Sequence, residues 1–189
     1  MEDLKGQFIE EALKIKRDGV PEFVEYLKTT DFFTAPASAK YHNAVEGGLV
    51  EHSLAVYDVA HEINKLFEIN LDNDSVSICG LFHDVCKANF YTKEIRSRKI
   101  DGKWQKVEAW GYKDLLPMGH GEKSVYIIQK FVKLTDPEAL SIRWHLGGFD
   151  PAIHFGYPSG MAMNQAIREH KLVSLIILAD LASARLLEK

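Results

Sequence analysis

Gly80-Leu81-Phe82-His83-Asp84-Val85-Cys86-Lys87 places an imidazole beside a carboxylate inside an otherwise apolar run, Val76 to Val85. Neighbouring residues on a helix point about 100° apart, so in a core helix His83 and Asp84 cannot both turn to water. A buried, unpaired carboxylate costs several kcal/mol, which confines such a residue to an ion pair or a metal site. A helix end, where both groups cap or meet solvent, is the alternative reading. Four more residues of ligand type in similar settings elsewhere in the chain favour the metal.

Apolar periodicity lays out the helices around this stretch. Residues 2–17 carry a stripe of Leu4, Phe8, Ile9, Ala12, Leu13 and Ile15; Gly19-Val20-Pro21 ends it, and Pro21 opens a short second helix through Leu27. Residues 30–46 read as loop, with His42 just ahead of Gly47-Gly48. From Leu49 the pattern returns, and Leu49, His52, Val56, Val59, Ile63 and Leu66 share one face. His52 is thus core-facing, a position where a lone histidine is more often a hydrogen-bonded core residue than a ligand. Leu71 to Ser75 breaks the chain and caps the helix that runs into His83 and Asp84.

Beyond Lys87, two basic and aromatic segments flank Asp101-Gly102, a pair suited to a type I′ turn, and predict a β-hairpin over about residues 90–111. It is either a solvated flap or, placed directly after Lys87, a lid. His120 opens the next helix. Thr135 and Glu138 form a capping-box pattern for a helix reaching His145, residues 149–160 read as loop, and a last helix spans roughly 163–187. In that helix Asp180 follows the most apolar part of the chain, Leu175 to Ala179, and needs a cation there.

With 189 residues, 46% apolar and 26% charged, the chain is sized for one domain around one core. No apolar run approaches the roughly 20 residues that cross a bilayer. The acidic, amphipathic N-terminus lacks a signal-peptide core, so a cytoplasmic location away from membranes is expected. Cys79 and Cys86, seven apart on one predicted helix, lie too far along it for a disulfide; they read as buried thiols and offer no CxxC zinc site. A net charge of −4 argues against wrapping long duplex nucleic acid and leaves room for a small phosphorylated substrate in a locally positive pocket. Nothing in the pattern sets an oligomeric state.

The candidate ligands, in order, are His52, His83, Asp84, His120, His145 and Asp180, drawn from five predicted helices of a bundle. Imidazole with carboxylate suits manganese, iron, cobalt, nickel or zinc, whereas calcium prefers oxygen alone. Six protein ligands exceed what one open catalytic ion takes. The natural partition gives His52, His83, Asp84 and Asp180 to one ion and His120 and His145 to a second, with Asp84 bridging.

His52…His83-Asp84…Asp180 resembles the H…HD…D signature of the HD superfamily of metal-dependent phosphohydrolases, over about His42 to Leu187. Gly47 to Ser53 and Leu81 to Lys87 look much like the HD domains of bacterial 3′-to-5′ exoribonucleases, with Cys86 where those carry glycine. They also carry a nucleic-acid-binding domain ahead of the HD region, where this chain has only about 40 residues, so RNA degradation is the less favoured activity. The pattern around Gly119 to Ser124 and Arg143 to His145 is closer to small stand-alone HD hydrolases of bacteria and phages.

The resemblance implies an all-α HD-domain bundle with residues 42–187 as the core and 1–40 as a helical extension. It also implies a binuclear centre, marked by His120 and His145. The implied activity is hydrolysis of a nucleotide or other small phosphoester by a metal-activated water, with two divalent transition-metal ions as cofactors. In similar enzymes the lysine at Lys87 meets a substrate phosphate. Lys123 and Arg143 are placed to do likewise, with a solvated surface charge as the alternative for all three. His42 is a candidate donor to the leaving oxygen or an ordinary loop hydrogen-bonder. Two other readings accompany this one. The same ligand order resembles di-iron oxygenases such as myo-inositol oxygenase, and a non-catalytic nucleotide-binding module would keep the fold without turnover.

Overall fold

In the computed structural model, which describes residues 3–41, 43–154 and 157–187, helices dominate and the one sheet among these residues is a hairpin. Helix α1 (Leu4–Leu13) starts where the Asp3 carboxylate accepts the Gly6 N–H at 2.8 Å. Helix α2 (Val20–Lys28) starts from Gly19 at φ 85°, with Pro21 in its first turn. A Cβ at Gly19 would fall 1.9 Å from the Phe131 carbonyl oxygen, so both the conformation and the space require glycine.

Helices α3 (Gly48–Leu66) and α4 (Asn73–Phe82) pack against each other. They come close at Gly80, where a Cβ would stand 2.8 Å from Tyr57 Cα. That approach brings the α3 face carrying His52 to the end of α4. Phe82, the last residue of α4, is held edge-on by Phe23 at 5.0 Å and touched by Phe8 at 6.0 Å between ring centroids. Burying each such ring contributes roughly 1.5–3 kcal/mol. The N-terminal helices α1 and α2 are therefore part of the same buried cluster as Leu81, Phe82 and Ile176, and they anchor the residue that precedes His83.

The expected core helix through His83 and Asp84 stops at Phe82. His83 is its C-cap, Asp84 sits at φ −108° and ψ 16°, and a 3₁₀ turn, Val85–Lys87, follows. The chain must leave the core here to enter the hairpin, and a tight turn bends where an α-helix would continue. Cys79 and Cys86 consequently lie on different elements, α4 and the turn, both as free thiols.

Strands β1 (Tyr91–Ile100) and β2 (Lys103–Tyr112) pair antiparallel from Tyr91 opposite Tyr112 to Ile100 opposite Lys103. Asp101 and Gly102 both have positive φ, 49° and 80°, as the Asp-Gly pair predicts. Most of the hairpin is solvent-exposed. Its root is fastened by the Trp110 indole N–H donating to the Ala44 carbonyl at 3.1 Å and by Phe90 stacked on Tyr112.

Helices α5 (His120–Ile128) and α6 (Asp136–Arg143) follow, and Glu138 accepts the Thr135 N–H at 2.7 Å at the start of α6. The segment 149–160, read as loop from sequence, holds a short helix α7 (Pro151–His154) and the first turn of α8 (Tyr157–Glu169). The long last helix is broken as well. His170 is extended at φ −133° and ψ 108°, and α9 (Lys171–Ala182) begins after it, ending in a π-helical turn, Ser183–Leu187. The bend lets Ala166 of α8 and Val173 of α9 share a small apolar cluster with Trp144, seven residues apart in sequence yet side by side in space. No helix among the described residues is long and apolar enough to cross a membrane.

Candidate metal centre

All six sequence-derived ligands meet around Asp84. Facing its Oδ2 are His52 Nε2 at 3.5 Å, His83 Nε2 at 3.6 Å and Lys87 Nζ at 2.5 Å. Facing Oδ1 are His120 Nε2 at 2.7 Å and His145 Nε2 at 3.4 Å. Asp180 Oδ1 closes the first side, 3.1 Å from His52 Nε2 and 3.9 Å from His83 Nε2. The two histidine nitrogens of that side are 3.1 Å apart.

Two of the imidazoles are aimed by one local device. His83 Nδ1 donates to the Gly80 carbonyl at 2.9 Å, and His145 Nδ1 donates to the Ile142 carbonyl at 2.7 Å. A carbonyl only accepts, so each Nδ1 carries a proton and Nε2 is the nitrogen turned toward Asp84. Both histidines stand at or just past a helix end, where the carbonyl three residues back lacks a helical partner. His145 Nε2 is buried and makes no hydrogen bond of good geometry. His52 reaches the centre from the second turn of α3, His120 from the first turn of α5 and Asp180 from the last turns of α9.

Burial alone would raise the Asp84 carboxyl; Lys87 and the His120 hydrogen bond outweigh it and hold the group well below the usual carboxylate range. Asp180 behaves alike, with His52 opposing burial. Burial pulls His83 down to about 3, against the attraction of Asp84, so its ring stays neutral. His120 goes the other way: burial disfavours its proton, but the Cys86 sulfur and the Asp84 carboxylate lift it to about 10 in the metal-free chain. Burial would also neutralise Lys87, yet Asp84 keeps it charged and raises its pKa. Burial pushes the neighbouring Tyr91 phenol up to about 12.

The donor set fits a transition metal. Ligand atoms about 2.0–2.2 Å from one ion, at right to tetrahedral angles, stand roughly 2.8–3.6 Å apart. The His52, His83 and Asp84 separations of 3.1, 3.5 and 3.6 Å lie in that window, as does the 3.1 Å from His52 to Asp180. Asp84, Cys86 and His120 form a second group whose donor atoms lie within 4.8 Å of one another.

Lys123 and Arg143 carry counter-ions of their own, and only Lys123 borders the cluster, in a recess beside His120. Lys123 is paired with Asp114 and lies over the Phe90 ring, while Arg143 binds Glu122 and Asp150, each at 2.6 Å, and stacks on Trp144. His42 lies outside the described residues. A cleft of about 200 Å³ opens over Asp84, Lys87, His145 and Asp180, and at its rim stand Tyr41, Phe149 and Arg185, which periodicity did not single out. In a continuous α-helix Arg185 would turn roughly 140° away from Asp180. The π-helical turn is what changes that phase, and the one sequence signal was a cation five residues after the carboxylate.

Residues 49–184 match the HD domain family. The chain belongs to that family. Its His83-Asp84 pair is the dipeptide at the middle of the cluster, and the matched segment contains all six converging residues. A dihydroneopterin 2′,3′-cyclic phosphate phosphodiesterase from Methanocaldococcus jannaschii is 32% identical over 65 residues, covering 32% of this chain and 26% of the relative. The match thus spans about a quarter of that relative's length. No solved structure matches this HD domain chain.

Proposed function

We propose that this HD domain protein is a metal-dependent phosphohydrolase acting on a nucleotide or another small phosphoester at a binuclear His/Asp centre. One observation carries the reading: a single buried carboxylate, Asp84, is shared between two sets of imidazoles while a charged lysine leans on it at the floor of an open cleft. His52, His83, Asp84 and Asp180 would hold one cation, and His120 with His145 the other, Asp84 spanning both. Divalent metal there would supply Lewis acidity and lower the pKa of a water to about 7.

The chain's own residues supply the rest. Asp84 stays ionised, so both of its oxygens remain available as acceptors. Lys87 stays cationic and gives Asp84 one of its three donors, leaving the others for a phosphate oxygen on the cleft side. Arg185, 5.5 Å above the Phe149 ring, presents a planar donor fork suited to a second phosphate oxygen. Tyr41 and Phe149 are 80% and 63% exposed at the mouth, flat apolar surfaces on which a ring of a small substrate can stack. The phosphodiesterase relative's named substrate, a cyclic phosphate on a pterin, agrees in direction.

The test is metal analysis of protein purified without added metal, followed by a phosphate-release screen over nucleotides and cyclic phosphodiesters. Asp84→Ala should lose bound metal and lower turnover about 10⁴-fold, the scale of removing a central catalytic group. Full activity in that variant contradicts the assignment. Iron with a redox-dependent EPR signal and dioxygen uptake would point to an oxygenase instead.

A further inference from the structure

Cys86 enters the sequence comparison only as a substitution for glycine, and the fold gives it a particular place. Its Sγ lies 3.4 Å from His120 Nδ1 and 3.7 Å from His120 Nε2, and the residue is 3% exposed. It shares with His120 and Asp84 Oδ1 the second group of donors. On this same side His145 Nε2, buried and without a hydrogen-bond partner, points at Asp84 Oδ1 from 3.4 Å. A separate recess of about 250 Å³, lined by Cys86, His120, Lys123 and Tyr91, opens onto the sulfur and gives an ion a way in.

We propose that Cys86 is a thiolate ligand of the cation on the His120 side of Asp84, so that the two metal positions are chemically unequal. The inference rests on the metal-binding reading above. With metal–sulfur near 2.3 Å and metal–nitrogen near 2.0–2.1 Å, a sulfur and a nitrogen on one ion stand roughly 3.1–3.6 Å apart. The sulfur stands 3.7 Å from His120 Nε2, the nitrogen that faces Asp84 Oδ1, within about 0.1 Å of that range, and 3.4 Å from Nδ1 of the same ring. On binding, the thiol proton and the proton shared between His120 and Asp84 leave to water, and a sulfur–metal and a nitrogen–metal bond form in their place. A thiolate favours borderline and soft ions, so this position selects zinc over manganese or magnesium more strongly than the His52–His83–Asp180 position, which has nitrogen and oxygen donors alone.

Cobalt(II) titration of the full metal-free chain tests this without using turnover. The wild type should show visible ligand-field bands from both positions and a near-ultraviolet sulfur-to-cobalt charge-transfer band whose full intensity corresponds to one of the two bound cobalt ions. Cys86→Ser should abolish the charge-transfer band and keep the visible bands. Cys79→Ser should keep both, because that thiol faces the Glu138 carbonyl. Zinc should quench the charge-transfer band at lower concentration than the bands of the other position. Visible bands without sulfur charge transfer in the wild type, or a charge-transfer band that survives in Cys86→Ser, overturns the proposal and leaves the metal-dependent reading intact. Failure to bind cobalt at all overturns both. The wild-type spectrum decides even if Cys86→Ser does not fold.

Discussion

On the Oδ2 side of Asp84 the donors come from α3, the end of α4 and α9, three helices packed on one another, whereas on the Oδ1 side they come from the first residue of α5 and the turn after α6. His52 and His83 are wholly buried, and Asp180 stands on the most apolar helix of the chain. His120 is the first residue of α5 and its side chain is 27% exposed; His145 lies two residues past α6. A position built by packed helices holds its geometry whether or not an ion is present. One with a donor partly open to solvent, as His120 is, yields more readily to the ion and to water. The first position should therefore bind its ion more tightly, and the second should exchange.

Paired substitutions are the strongest way to break that comparison. His52→Ala should release both ions, since it removes a donor of the tight position and disturbs Asp84; affinity should fall by more than the roughly 10–100-fold typical of an outer-shell change. His120→Ala should release one ion and leave the other. Elemental analysis after dialysis reads the stoichiometry, and equal losses in the two variants would erase the distinction.

The metal-free chain offers a second contrast, because the two sides titrate in opposite directions. His83 is held neutral down to about 3, while an unfolded histidine takes a proton near 6.5. The unfolded state then binds more protons between those values, and stability falls by a few kcal/mol as pH drops from about 6.5 toward 3. Asp84 and Asp180, both held below their usual range, add to the loss below the ordinary carboxylate pKa near 3.8. His120 is raised to about 10, so its contribution is full below 6.5 and fades as pH rises through 10. Urea unfolding with a chelator present should thus show maximal stability near pH 6.5 as far as these groups decide it. A profile flat from pH 4 to 9 would contradict the assignment.

The smallest effect concerns the hairpin. Its root helps wall the Oδ1 side through Phe90 and Tyr91, but its tip does not reach the cluster. Trp104, 74% exposed near the turn, should tolerate alanine within about ±0.5 kcal/mol and without change in metal content. A lost ion in that variant, read by the same elemental analysis, would extend the site into the tip.

Much of this was legible beforehand. Helical periodicity located α3 with His52 inward, the Asp-Gly pair located the hairpin turn, polar interruptions of apolar runs picked out His83, Asp84 and Asp180, and His120 and His145 stood out as histidines at predicted helix ends that the family resemblance marks. The helix ends were less legible. Periodicity carries the apolar face past His83 and past His170, yet the first helix stops because its histidine takes a backbone carbonyl and the chain turns out of the core. The second stops because Ala166 and Val173 must meet around Trp144. Lys123 and Arg143 had suitable spacing from ligand histidines, but spacing says nothing of Asp114, Glu122 and Asp150, which take their charges.

What the amino-acid order determined by itself was the inventory: which helices bury a face, and which buried faces carry a group that cannot stay unpaired. Each of those facts is local, set by a period of 3.6 residues and the cost of dehydrating a charge. Only the tertiary structure decided that Asp84 splits its two oxygens between two sets of donors, that Cys86 stands beside His120, and that Arg185 rather than Arg143 overlooks the cleft. These are relations between residues tens of positions apart, fixed by how helix ends and a π-helical turn aim side chains, and no local pattern encodes that aim.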